Sequence, residues 1–317
     1  MSYLPDSQRR TRSDIAQTTL KAVETGKFTV DGDVFDIADL VNKSVEETRL
    51  YGSDSTLSSW KTNIPSLTSS SSRSNSIILE ISTLAGARLL ATTRPDHKIG
   101  VLNFASAKKP GGGFLGGAQA QEESIARSSS LYPTLITPTT KPFYDTHRHD
   151  PKGGYYSHAM IYSPGVVCFR DDSGEWLKPI EVDVVTSPAV NAGTVRQTLY
   201  AELAGKSEEA KIERVMRERM ARILYLFEKN GVRHLVLGSF GTGVFKNDVK
   251  TVARIWADLL GREGSRFEKS FERVVFAVLG KETFTKFEEA FDARRNETDA
   301  ATPSDQSQRS PSIQSSS

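Results

Sequence analysis

Two segments of this chain share one order of elements, and that order restricts the fold more than any other feature of the sequence. In the first, the apolar segment Ile99–Phe104 precedes a glycine-rich loop and a helical segment over 122–130. In the second, the buried-strand pattern of His234–Leu237 precedes another glycine-rich loop and a helical segment over 249–260. A strand, a glycine loop and a helix in this order are typical of α/β domains and place backbone N–H groups where anions bind.

The periodicity of the remaining segments predicts the same class of fold. Strands are predicted at 27–30, 77–81, 160–169, 180–185 and 274–279. Helices are predicted at 13–26 with Ser13 as the cap, and at 83–91, 207–231 and 282–294, with 37–50 as a helix or an irregular segment. Strands that alternate with helices predict a three-layer α/β/α sandwich with a mixed sheet.

Low apolar content divides the chain into regions. The serine-rich segment 66–76 has too few apolar side chains to order itself, so we predict a linker or loop there. Residues 1–65 then form an N-terminal helical extension, and residues 77–294 form the α/β core. The tail 295–317 is rich in Ser, Gln and Pro and is predicted to be disordered.

Composition excludes several classes of partner. Lys and Arg number 41 against 39 Asp and Glu, so a broad electrostatic grip on nucleic acid or membrane is not expected. A polyanionic ligand must therefore be bound by local sites. Cys168 is the only cysteine, which excludes an intramolecular disulfide and favours the cytoplasm or the nucleus. Neither a signal peptide nor an apolar run of the ~20 residues that span a bilayer is present.

The first glycine loop has five glycines in seven residues, at 111–113, 116 and 117. Glycine costs backbone entropy, but it permits positive φ angles and lets N–H groups converge on an anion or a sugar. A flexible surface loop is the alternative interpretation. Glu122 and Glu123 follow directly, and two carboxylates at this point favour a functional loop over a merely flexible one. The helix dipole alone, however, also favours carboxylates at a helix start.

The second glycine loop covers 238–248, and Asn247 or Asp248 can cap the helix that follows. The loop lacks the Gly-Lys-Ser/Thr of a P-loop and the spacing of the Rossmann fingerprint. A plain turn is the alternative for this loop taken alone. Two such loops in one α/β unit predict a diphosphate bound between them, and hence a nucleotide-like ligand.

The order of three glycines at 111–113, seven residues, and then Gln121-Glu122-Glu123 resembles the signature of poly(ADP-ribose) glycohydrolases. The resemblance is to the compact bacterial-type branch, which also occurs in fungi, and it covers roughly residues 10–290. Supporting similarity lies at 102–105, 162–171, 187–193 and the second glycine loop.

This resemblance implies a macrodomain fold and hydrolysis of ribose–ribose bonds to release ADP-ribose, without a metal or any other cofactor. It implies that Glu123 is catalytic, that Glu122 helps to bind the ribose, and that both glycine loops bind the diphosphate. Asn103 is expected to bond the terminal ribose, and Phe245 to pack on a ribose or the adenine. Thr242 stands where many relatives have cysteine. The full set of predicted binding residues is Asn103, Gly111, Gly112, Gly113, Gln121, Ser239, Phe240, Gly241, Thr242, Gly243, Val244 and Phe245.

The implied partner is poly(ADP-ribose) or an ADP-ribosylated protein, with no membrane, no sequence-specific nucleic acid, and a monomer as the expected state. Most glycosidases place two carboxylates about 5–10 Å apart across the scissile bond. Adjacent side chains diverge on a helix or a strand, so we expect one glutamate, Glu123, to act first as acid and then as base. A non-catalytic ADP-ribose reader and a mono(ADP-ribosyl) hydrolase are the alternatives.

Other polar residues are interpreted as structural. His147 and His149 lie two apart without a partner motif, which favours a polar loop over a metal site. His234 flanks a strand, and Cys168 lies in an apolar run that favours packing over reactivity. Tyr155 and its neighbour Tyr156 are assigned either to adenine stacking or to core packing.

Overall fold

A seven-stranded mixed sheet organises the molecule. The computed structural model describes residues 6–63, 73–93, 97–149, 153–198 and 204–297. Its strands are β1 (Lys27–Val30), β2 (Asp33–Asp36), β3 (Arg49–Tyr51), β4 (Asn75–Leu79), β5 (Ile99–Phe104), β6 (Met160–Arg170), β7 (Trp176–Ser187), β8 (His234–Leu237) and β9 (Arg273–Ala277). The main sheet has the order β3-β6-β7-β5-β8-β9-β4, and β1 and β2 form a separate hairpin. The strands from β7 to β4 in that order are parallel, whereas β6 is antiparallel to both of its neighbours.

Helices cover both faces of this sheet. They are α1 (Asp6–Thr25), α2 (Ala38–Glu47), α3 (Thr83–Thr93), α4 (Gln121–Ser128), α5 (Leu131–Leu135), α6 (Lys141–His149), α7 (Ala192–Arg196), α8 (Lys206–Lys229), α9 (Val249–Trp256) and α10 (Lys281–Asn296). The core of one face contains side chains from α8, α9 and α10, and the core of the other contains side chains from α3 to α6. Within the described ranges, no helix has the length and apolar character needed to cross a bilayer.

The alternation of side chains along the central strands builds these two cores. On β5, Leu102 packs in the core shared with α8, and Val101 packs in the core on the opposite face. Leu235 and Val236 on β8 alternate in the same way. Burying each such aliphatic side chain contributes about 1.5–3 kcal/mol to folding. Both faces are covered, as the apolar strands predicted, so the three-layer α/β/α sandwich is confirmed.

The N-terminal region is less helical than the extension that we predicted. The strand predicted at 27–30 is confirmed as β1, but it pairs with β2 in a hairpin, and β3 joins the main sheet through the pairing of Leu50 with Ile161 on β6. Ser13 lies inside α1 instead of capping it, since the helix begins at Asp6. The strands β2 and β3, of four and three residues, were missed because segments this short carry little periodicity.

The predicted linker begins to be ordered before its predicted end. The hydroxyl of Ser74 donates to the carbonyls of Glu268 and Phe271, and β4 starts at Asn75. The boundary that we placed after residue 76 is therefore wrong. The rest of the predicted linker, 66–72, lies outside the described residues, as does the predicted tail from residue 298 onward.

Phe28 tests whether this N-terminal hairpin is integral to the fold. Its side chain is 6% exposed, and its ring lies 5.1 Å from that of Phe169 and 5.2 Å from that of Trp176. We predict that Phe28→Ala lowers the free energy of unfolding by about 3–5 kcal/mol in chemical denaturation. Val34→Ala, on the same hairpin but 67% exposed, should change it by less than about 0.5 kcal/mol. Equal effects of the two substitutions would contradict the packing described.

Candidate active site

One cavity lies where the parallel strands β4, β9, β8 and β5 end. It has a volume of about 650 Å³ and is lined by residues of both glycine loops. Ligands of open α/β sheets bind at the carboxyl ends of the strands, and small-molecule sites have volumes of about 300–1,000 Å³. The cavity therefore has the position and the size of a ligand site.

Gln121 fixes the start of α4 to the end of β5. Its Oε1 accepts a hydrogen bond of 2.9 Å from the N–H of Phe104. Its Nε2 donates to the carbonyl of Leu102 at 2.7 Å and to the hydroxyl of Thr83 at 3.1 Å. The amide thus meets strand atoms as both donor and acceptor, which a carboxylate could not do. Gln121 sets the position of the two glutamates that follow it.

Glu122 is buried, with 3% of its surface exposed. Its Oε2 accepts from the N–H of Ser106 at 2.6 Å, and its Oε1 accepts from Nδ2 of Asn103 at 3.3 Å. Burial raises the pKa of Glu122 to about 8, and the charge of Glu123 adds to this, while the hydrogen bonds from Ser106, Asn103 and Gly111 oppose it. The carboxyl group is therefore mostly neutral near pH 7.

Glu123 is only half-buried and lines the cavity. Its Oε1 accepts a hydrogen bond of 2.9 Å from the N–H of Gly113. A Cβ atom on Gly112, where φ is +61°, would lie 2.3 Å from Oε1 of Glu123 and 3.1 Å from Oε2 of Glu122. Both carboxylates therefore converge on Gly112, and the expectation that adjacent side chains diverge is wrong here. The loop folds over the start of α4 and supplies donors to each.

The N–H groups of the first glycine loop serve the protein itself. That of Gly111 bonds to Glu122, that of Gly113 to Glu123, and that of Gly112 to the carbonyl of Lys109 at 3.0 Å. These donors are committed to carboxylates and to a turn, so they do not face a diphosphate as we had predicted. The exposed Lys109 also lines the cavity and brings a positive charge to it.

Helix α1 holds this loop from outside. Three of its side chains donate to carbonyl oxygens of the loop. Arg9 Nε donates to Gly116 at 2.8 Å, Arg12 Nε to Gly117 at 2.9 Å, and Ser13 Oγ to Leu115 at 2.7 Å. A Cβ atom on Gly117, where φ is +73°, would lie 2.0 Å from the carbonyl oxygen of Arg9. Glycine at 117 is thus required by the close approach of α1, and the N-terminal region supports the loop of the site without lining the cavity.

In the second glycine loop, several backbone N–H groups are not hydrogen-bonded to the part of the protein that the structure describes. Asn247 Nδ2 donates to the carbonyl of Gly241 at 3.0 Å and pins the turn, and the carboxylate of Asp248 caps α9. The N–H groups of Gly241, Gly243 and Val244 have no protein acceptor among the described residues. Unpaired donors beside a helix start form an anion site. This loop thus has free donors for an anion, and its binding of a diphosphate stays a prediction.

The chain is similar to known proteins in sequence and in fold. Residues 16–171 match the family model of the microbial-type PARG catalytic domain. The structure of poly(ADP-ribose) glycohydrolase (PARG) from Thermomonospora curvata is 40% identical, with a TM-score of 0.79, over 90% of this chain and 99% of that one. This chain belongs to the microbial-type poly(ADP-ribose) glycohydrolase family.

Two further structures of such glycohydrolases are similar to the chain. The T. curvata protein bound to the inhibitor ADP-HPD is 40% identical, with a TM-score of 0.77, over 90% of this chain and 99% of that one. The Deinococcus radiodurans protein in complex with ADP-ribose is 32% identical, with a TM-score of 0.69, over 84% of this chain and 99% of that one. No curated protein matches the chain. The fold is macrodomain-like, as the resemblance implied.

Most of the predicted site residues of this glycohydrolase line the cavity. They are Gly112, Gly113, Gln121, Glu122, Glu123, Ser239, Gly241, Thr242, Gly243, Val244 and Phe245. Three others do not line it. Gly111 belongs to the first glycine loop but faces the rings of Phe114 and Tyr132. Phe240 is buried, with its ring 5.5 Å from that of Phe104. Asn103 lies behind Glu122, where it also donates to Thr186. The bond from Asn103 to a ribose stays a prediction.

Sequence reasoning missed the rest of the cavity lining. It includes apolar side chains, at Ile81, Leu84, Phe104, Val249, Ala277 and Leu279, and polar residues such as Ser82, Gln119 and Asp172. Several of these residues directly follow β4 and β9 or end β5 and β9. The signal that could have found them is the rule that ligands bind where parallel strands end.

The remaining candidates are structural in this glycohydrolase. His147 and His149 lie in α6 and not in a polar loop, and the buried His147 bonds to Ser157 at 2.7 Å. Tyr155 donates its hydroxyl to a carboxylate on α8, away from the cavity. Cys168 is buried, which raises the pKa of its thiol to about 12, so it packs and does not react.

The convergence on Gly112 can be tested by adding one methyl group. We predict that Gly112→Ala lowers kcat/KM for polymer hydrolysis by roughly 100-fold or more, because the Cβ displaces Glu123 by an ångström or so. Gly116→Ala is the matched control, since a Cβ there meets no atom within 4 Å. Its activity should stay near the parental value. Parental activity of Gly112→Ala would show that the carboxylate does not sit where described.

The pKa of Glu122 predicts how stability depends on pH. A carboxyl group with a pKa of about 8 in the folded protein and about 4.5 in the unfolded chain stabilises the fold below the lower value. That contribution is lost as the pH rises toward about 8. The free energy of unfolding of the wild type should therefore fall relative to that of Glu122→Gln between about pH 5 and pH 8 in urea titrations. A difference that does not change with pH would contradict the buried, neutral carboxyl group.

Proposed function

We propose that Glu123 is the single acid/base carboxylate with which this chain cleaves the ribose–ribose O-glycosidic bond of poly(ADP-ribose). As a member of its family, the chain is a glycoside hydrolase that acts on this polymer. The observation that carries the proposal is the asymmetry of the two glutamates. Glu122 is buried and hydrogen-bonded on both oxygens, whereas Glu123 is half-buried and lines the cavity.

The diphosphate of an ADP-ribose unit binds at the second glycine loop in this proposal. The unpaired N–H groups of Gly241, Gly243 and Val244 lie beside the start of α9, where the helix dipole also favours an anion. Lys109 contributes a positive charge to the same cavity. The D. radiodurans relative is a complex with ADP-ribose, which supports a ligand of this class.

The apolar side chains of the cavity that follow β4 and β9 and end β5 form the proposed contact for the adenine. Phe104 is partly exposed, and Leu279 is among the most exposed large apolar side chains of the described protein. Flat aromatic and aliphatic surfaces of this kind favour a purine ring through dispersion and removal of apolar surface from water. Phe245 belongs to the second glycine loop, so in this proposal it packs on a ribose beside the diphosphate.

The proposed role of Glu122 is to hold the ribose as a neutral acid. Its raised pKa, about 8, removes one negative charge from a site that must accept a diphosphate. A protonated carboxyl can donate a hydrogen bond, whereas a carboxylate only accepts. Glu122 thus offers the ribose hydroxyls both a donor and an acceptor.

Glu123 carries out both proton transfers. In its protonated form it donates to the ribose oxygen that leaves as the C1–O bond breaks. The neighbouring diphosphate stabilises the oxocarbenium ion that remains. The Glu123 carboxylate then takes a proton from the water that attacks C1, which restores the acid and completes hydrolysis. The N–H of Gly113 holds one carboxylate oxygen, so the other is left for these transfers.

Replacing Glu123 separates chemistry from binding. We predict that Glu123→Gln lowers kcat by roughly 10³-fold or more while Kd for ADP-ribose changes by less than about fivefold, measured by product release and by calorimetry. The amide oxygen still accepts from Gly113, so the loop keeps its shape. Asp172→Asn is the matched control, because Asp172 is an exposed carboxylate that lines the same cavity.

Near-parental turnover of Glu123→Gln would refute a single acid/base at this position, and a comparable loss in Asp172→Asn would indicate a two-carboxylate mechanism. Mono(ADP-ribosyl)ated protein is tested beside the polymer. Cleavage of that substrate alone would favour a mono(ADP-ribosyl) hydrolase, and binding without any cleavage would favour a reader.

The wider biology of the enzyme is part of the same proposal. We infer that it acts as a monomer on polymer attached to proteins, in the cytoplasm or the nucleus. Two facts support this: Cys168 is a buried free thiol, and the net charge of +2 gives no broad attraction to nucleic acid or membrane.

A further inference from the structure

A second cluster of functional side chains lies at the opposite edge of the sheet. His97 lies two residues before β5, His234 is the first residue of β8, and Glu272 lies immediately before β9. These three strands are adjacent and parallel, so their starts are neighbours. The cavity lies at their other ends, one strand length or roughly 15–20 Å away.

The distances in this cluster are those of ligands around a shared ion. Oε2 of Glu272 lies 3.7 Å from Nε2 of His97 and 3.6 Å from Nε2 of His234. Both separations exceed the 2.7–3.2 Å of an N–H···O hydrogen bond. An imidazole nitrogen and a carboxylate oxygen that bind one tetrahedral Zn²⁺ at about 2.0–2.2 Å lie roughly 3.4 Å apart.

His234 also lacks the partners that a buried polar side chain requires. It is 0% exposed, and neither of its ring nitrogens has a hydrogen-bond partner among the described residues. Leaving such a group unsatisfied costs about 1–3 kcal/mol. Arg233 Nε lies 3.3 Å from Oε1 of Glu272, which leaves Oε2 turned toward the two imidazoles.

We propose that His97, His234 and Glu272 bind one Zn²⁺ ion, with water as the fourth ligand. Two imidazole nitrogens and a carboxylate oxygen are a usual ligand set for this ion. All three ligand atoms lie within 4.8 Å of one another. The two rings are stacked, parallel within 1° with centroids 4.9 Å apart, and because a ring nitrogen binds an ion in the plane of its ring, this arrangement must change for both imidazoles to bind the same ion. Closing the site requires His97 to rotate, and its side chain is 34% exposed and so has room to do so.

The ion would tie together the starts of three core strands. Its role would be structural, because the site is remote from Glu123, and it does not depend on the proposed hydrolysis. The alternative without a metal is a carboxylate shared by two stacked imidazoles, and the two alternatives differ in whether an ion binds stoichiometrically.

Metal titration of the full-length, tag-free protein tests the site. After removal of metal with a chelator and dialysis, ZnCl₂ is titrated by calorimetry and CoCl₂ by visible absorption. We expect one ion per chain, tetrahedral Co²⁺ bands, and a higher Tm with Zn²⁺. His97→Gln and Glu272→Gln should weaken Zn²⁺ binding by more than about 100-fold. His149→Gln, at an exposed histidine on α6, is the control and should bind like the wild type.

Circular dichroism checks that the variants are folded. Both substituted side chains are partly exposed, 34% for His97 and 40% for Glu272, so the fold should tolerate the changes. Polymer hydrolysis by His97→Gln should stay at the parental rate, which keeps failure of this site separate from failure of the proposed function. The proposal is overturned if the wild type binds no stoichiometric ion, or if His97→Gln binds it as tightly as His149→Gln.

Discussion

The active site depends on the contact between one glycine loop and two adjacent carboxylates. The N–H groups of Gly111 and Gly113 hold Glu122 and Glu123, and Gly112 between them leaves no room for any side chain. Hydrogen bonds from N–H groups to carboxylates are among the stronger ones in proteins. They hold two acids close together, and burial raises the pKa of Glu122 to about 8, which reduces the repulsion between the two near pH 7.

The rest of the fold supports this contact from two sides. From inside, Gln121 joins the start of α4 to the end of the central strand β5. From outside, Arg9, Arg12 and Ser13 of α1 hold the carbonyls of residues 115–117. The N-terminal region is therefore neither a separate domain nor an accessory, since it shares a sheet, a core and the active-site loop with the remainder of the chain.

The sequence allowed much of this architecture to be predicted. Buried strands such as His234–Leu237 are apolar throughout, and the spacing from the glycines at 111–113 to Glu123 is specific, so the sheet, both loops and the glutamate pair were found. Contacts between distant segments could not be predicted from the sequence. The strand β3 is too short to show periodicity, and the use of N–H groups in the first loop depends on how it folds over α4. His97 and His234 meet only because β5 and β8 are neighbours in the sheet.

A crystal structure of the protein with bound ADP-ribose tests the central claim most directly. If two loops and one acid form the site, the diphosphate will lie against the N–H groups of residues 241–244. The free carboxylate oxygen of Glu123 will then lie within about 3.5 Å of C1 of the distal ribose or of the water beside it. A diphosphate bound elsewhere, or a ribose whose C1 faces away from Glu123, would contradict this account.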